Sequence, residues 1–123
     1  LIDELDTNEL TEMLRERAAV LARAGFAVED ALAKLAKIEK TIQNHIDQLT
    51  AVRNCGAGAS ADGERLIFEE INACIEEFNT ACKKAELQYY YLIVTREAMG
   101  LRRHETVKQL YLVPPKKKKL QVA

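Results

Sequence analysis

The chain of 123 residues has no tryptophan, only two prolines, five glycines and two histidines, His45 and His104. So few turn-forming residues describe a chain with few turns. No apolar run approaches the roughly 18 residues that a membrane span needs. The cysteines, Cys55, Cys74 and Cys82, are an odd set without C-x-x-C spacing, so they form neither a disulfide framework nor a zinc module. Cys74 and Cys82 fall among apolar residues in a helical pattern, where a free thiol acts as a small hydrophobe. A reducing compartment follows, with only Cys55 open to oxidation. The net charge of −1 excludes a nucleic-acid binder whose whole surface is basic. Residues 1–16 show no basic region followed by an apolar stretch, so no signal peptide is read there, and the expected location is intracellular and cytoplasmic.

What is present points to helix. The chain is 48% apolar and 30% charged, too hydrophobic for disorder, and its length suits one domain. Leu14, Leu21, Val28, Leu35, Ile42 and Leu49 are seven apart, flanked by Leu10, Arg17, Ala24, Ala31, Ile38, His45 and Val52. That is the seam a helix buries against another helix. The seam crosses Gly25 without a phase slip and without a capping residue nearby, so one helix is expected over about 8–53. The alternative is a break at Gly25 into a three-helix bundle. Asp6 and Glu9 have capping-box spacing, with Leu5 and Leu10 as a hydrophobic staple.

Asn54 to Ser60 reads as a loop, and Ser60 as the N-cap of a second helix over about 61–99. Its seam is Ile71, Phe78, Ala85, Leu92 and Met99. Residues 87–94, apolar or aromatic nearly all round, could pass for a strand. Their helix-forming neighbours favour helix. A short helix is expected over about 104–112, then a basic flexible tail, 114–123, containing Lys116, Lys117, Lys118 and Lys119.

The expected fold is therefore all-α: a long antiparallel, coiled-coil-like hairpin, one domain over 1–113, self-associating because two helices alone bury too little. Antiparallel packing would set the acidic residues 3–16 beside the basic residues 102–119.

Catalytic chemistry is missing. Gly56-Ala57-Gly58 lacks the Lys-Ser/Thr of a phosphate loop. Neither histidine has a glutamate three residues before it, as a bundle metal site needs. His45 reads as a register-fixing polar residue whose protonation would loosen the assembly if it were buried. Glu69-Glu70 and Glu76-Glu77 read as a solvated face. No enzyme, metal or cofactor is expected. The function expected is a noncatalytic structural or adaptor protein that binds protein partners, including itself, through Tyr90, Tyr91, Ile93 and Val94, with Leu110, Tyr111, Leu112 and Val113 as a second patch. Replacing Tyr91 and Val94 with Glu is expected to abolish assembly or partner binding. One alternative is a small secretion or assembly chaperone shielding an amphipathic client. The other is nucleic-acid or nuclear association through the lysine run, read as an import signal.

Overall fold

A computed structural model of the chain describes residues 6–55 and 61–121. Three helices follow one another: α1 (Thr7–Cys55), α2 (Ala61–Ala98) and α3 (Glu105–Leu110), with no strand among the described residues. Residues 87–94 lie inside α2. Of the expected start signals, Ser60 and Leu5 lie outside the described residues. Asp6 caps α1 by accepting the Asn8 N–H on Oδ1 at 3.1 Å.

α1 and α2 pack on each other, and two contacts fix them antiparallel: Arg53 to Glu64 at 3.7 Å and His45 to Glu70 at 3.4 Å. The core is the heptad seam. Leu35, Ile38, Ile42 and Leu49 interlock with Ile67, Ile71, Ile75, Phe78, Ala81, Cys82 and Ala85. A smaller cluster of Val28, Leu92 and Val107 closes the other end with a side chain from α3.

α1 is one helix through Gly25, so the three-helix alternative is not what forms. A Cβ at Gly25 would lie 3.7 Å from the Tyr111 hydroxyl, an ordinary van der Waals contact, so the packing here does not require glycine. α2 ends in a Schellman motif: Leu101 N–H donates to the Arg96 carbonyl at 2.9 Å and Gly100 N–H to that of Glu97 at 3.0 Å. Gly100 has φ +85°, a left-handed conformation that a side chain would strain. Across this turn Arg96 Nε donates to His104 Nδ1 at 3.3 Å, which assigns the imidazole proton to Nε2, 3.2 Å from Glu97.

Three expectations are corrected. The seam is not buried along its whole length, because α1 outruns α2. The pairs above place Ala98 level with the neighbourhood of Ala18, and every residue from 6 to 20 is exposed, Leu14 at 58%. His45 is half-buried at the edge of the seam and faces the Glu70 carboxylate. Finally, the chain after α3 does not stand away from the helices. It turns back and lies along them.

Candidate functional site

Pro114 and Pro115 fix φ near −65° and have no N–H to donate, which commits the chain after α3 to an extended course. Tyr111, Pro114, Lys117 and Leu120, three residues apart, are all half-buried, while most of the residues between them are exposed. A period of three is that of a polyproline helix laid on a surface. The segment 111–121 forms a strap in the groove between α1 and α2. Tyr111 Oη donates to Glu29 at 2.8 Å, and Lys117 Nζ reaches Glu39 at 3.0 Å. The strap thus runs parallel to α1 and antiparallel to α2.

Two asparagines of α2 clasp it. Asn79 Nδ2 donates to the Lys117 carbonyl at 2.8 Å, and the Lys117 N–H donates back to Asn79 Oδ1 at 2.8 Å. Asn72 does the same with Leu120, at 3.1 and 2.8 Å. The spacing explains itself. Seven residues of helix rise about 10.5 Å, and three residues of extended chain span about 9–10 Å. Each side-chain amide therefore meets the N–H and C=O of one residue, three residues apart along the strap.

Side chains complete the clasp. The Lys117 ammonium lies 4.9 Å from the centre of the Phe78 ring, and Lys119 Nζ is 3.6 Å from Glu76. Val113 and Leu120 pack on the main core, and Cys82 Sγ lies 3.6 Å from the Pro114 carbonyl. Burial, followed by Glu86, raises the Cys82 thiol above its usual range, while Lys116 and Lys117 pull it down. Cys74, on the open side of the hairpin, is raised by burial and then by Glu77 and Glu70. Tyr111 is raised first by its hydrogen bond to Glu29, then by burial and the Glu29 charge.

The residues expected to make protein contacts divide. Tyr90, Tyr91 and Val94 are exposed; with Leu87 they form a 3-4 spaced stripe on the face of α2 turned away from α1. Ile93 packs on the smaller core cluster. Leu110 and Leu112 are exposed, whereas Tyr111 and Val113 face inward. Lys117 and Lys119 pair with Glu39 and Glu76 in mid-hairpin, not with the carboxylates at the start of α1. Beside α3, Leu21, Gly25, Phe26, Leu92 and Leu110 line an open apolar pocket of about 420 Å³.

Sequence reasoning missed two features. One is the overhang of α1, whose signal was a first helix longer than the second. The other is the pair Asn72 and Asn79, poor helix formers seven apart beside the seam. Among the described residues no cluster of three His, Cys, Asp or Glu side chains could hold a metal ion. No family model, curated protein or solved structure matches the chain.

Proposed function

We propose that the chain is a noncatalytic structural protein that assembles by pairing its α1 overhang with that of a second copy, and that the α2 stripe serves as an adaptor surface. The observation that carries this reading is the overhang. Residues 6–20 are helical from Thr7 onward yet exposed throughout, and Leu10, Met13 and Leu14 continue the seam with nothing from α2 opposite them. A helix of that length is marginal alone in water. Burying one leucine contributes about 1.5–3 kcal/mol, so a partner helix is the natural cover.

Charge supports a second copy as that partner. Asp6, Glu9 and Glu12 crowd the first half of the overhang, and Arg15 and Arg17 flank Glu16 in the second. Antiparallel pairing of two copies sets each acidic half against the other's basic half. The stripe Leu87, Tyr90, Tyr91 and Val94 remains open in such a dimer, and tyrosines are favoured at protein contacts. With Lys117 and Lys119 engaged inside the molecule, the nucleic-acid alternative has less charge to work with.

Sedimentation equilibrium tests the assembly. The wild-type chain is expected to dimerise and Leu10→Glu/Leu14→Glu to be a helical monomer, while Tyr91→Glu/Val94→Glu keeps the dimer. A wild-type chain that is monomeric at concentrations on the order of 100 μM, about 5.5 kcal/mol of association, overturns the proposal. So does a leucine double variant that still dimerises.

A further inference from the structure

The strap's contacts have the form of a ligand in a receptor. We propose that the groove between α1 and α2, with Asn72 and Asn79 as its clasps, is a binding site for an extended basic segment of another protein. That segment carries a lysine three residues ahead of an aliphatic side chain, and residues 114–120 fill the groove in cis as a removable placeholder. The proposal does not depend on the overhang, which lies beyond the end of α2.

Four observations support it. The clasp reads main chain: all four amide hydrogen bonds go to the N–H and C=O of Lys117 and Leu120, so any extended chain offers the same groups. The side-chain requirements are few and have a definite chemistry. Glu39 and Phe78 receive one lysine, Glu76 receives another, and the main core receives the aliphatic residue. Asparagine is a poor residue for a helix interior, and two at the strap's own spacing have the strap as their reason. Finally, the strap lies on the surface: none of residues 111–121 is buried, and its side chains cap a core whose fully covered residues belong to α1, α2 and α3.

An occupant tethered in cis competes at an effective concentration in the mM range, so a free peptide gains access once the tether's own segment is weakened. The experiment uses the full chain carrying Lys117→Glu and Leu120→Asp, which leaves every groove residue intact. A fluorescent peptide with the sequence of residues 112–121 is titrated in and read by anisotropy. Saturable binding is expected, reduced at least tenfold by adding Asn72→Ala and Asn79→Ala to the same chain. It should also be reduced tenfold or more when the peptide's own leucine at the Leu120 place is aspartate.

A helical, tail-weakened chain that binds no peptide overturns the proposal, as does equal binding with and without the two asparagines. If the tail-weakened chain loses its helical circular dichroism, the strap is an integral part of the fold and the placeholder idea fails. Crosslinks between positions 79 and 117 of different wild-type chains would show that the groove takes a second copy's tail, and would overturn it too.

Discussion

Removing one clasp gives a sharp test of how the strap is held. Asn79→Ala deletes two hydrogen bonds, each with a donor–acceptor distance of 2.8 Å. A typical intramolecular hydrogen bond contributes about 0.5–1.5 kcal/mol net. The Lys117 peptide groups are only half-buried, so water partly replaces what is lost, and about 1–2 kcal/mol is a fair expectation for the pair. The strap opens locally, not with the whole molecule, so the effect belongs in local exchange more than in global unfolding. At about 1.4 kcal/mol per factor of ten, the Lys117 amide should exchange with deuterium about 5–30 times faster. The thermal midpoint should barely move, because the buried seam is untouched. Asn79→Asp keeps the acceptor for the Lys117 N–H while losing the donor, and should preserve more of the protection. Asn72→Ala should act most on the Leu120 amide. If Lys117 is unprotected in the wild-type chain, or its exchange is indifferent to Asn79, the clasp is not what holds the strap.

Other outcomes follow from single contacts. Tyr111 has a folded-state pKa above its ordinary value of 10.0 because the neutral phenol donates to Glu29. Its contribution is therefore full below pH 10 and lost as pH rises through the elevated value, where a phenolate would face a carboxylate. Tyr111→Phe should destabilise by about 0.5–1.5 kcal/mol at pH 8 and flatten stability above pH 10; an unchanged alkaline profile in denaturant titrations refutes this. Gly25→Ala meets the Tyr111 hydroxyl at ordinary van der Waals distance, 3.7 Å, so helix propensity should decide and stabilise by about 0.5–1 kcal/mol. A lowered melting temperature would contradict it. Alkylation by iodoacetamide should strike exposed Cys55 well before Cys74 or buried Cys82, whose thiols are raised mainly by burial. Equal rates at the three sites, read by peptide mapping, would sink that reasoning.

The hairpin was legible because both of its helices carry their buried side chains at the period that defines them. Val28, Leu35, Ile42 and Leu49 on one, and Ile71, Phe78, Ala85 and Leu92 on the other, are buried where the heptads place them. Leu10 and Leu14 obey the same pattern and are exposed, because a pattern shows which face is apolar and not how far its neighbour reaches. The strap was illegible for a different reason. The extended segment half-buries every third residue, and here those are a tyrosine, a proline, a lysine and a leucine, which present no apolar repeat. Its receptor residues, Asn72 and Asn79, are polar positions beside a seam, and pattern reading assigns such positions to solvent. Lys117 shows the cost of reading charge from composition: its ammonium lies over the Phe78 ring, in a place that four lysines in a row do not suggest.

Laying the strap lengthwise also makes the molecule mechanically anisotropic. A tug on Leu120 directed along the rod axis, towards the α1–α2 connection, loads both asparagine clasps in shear, and they resist together. The same tug applied sideways opens Asn72 first and Asn79 second, like a zip. A neighbour approaching from the flank could therefore strip this segment with a force that an axial pull would not register.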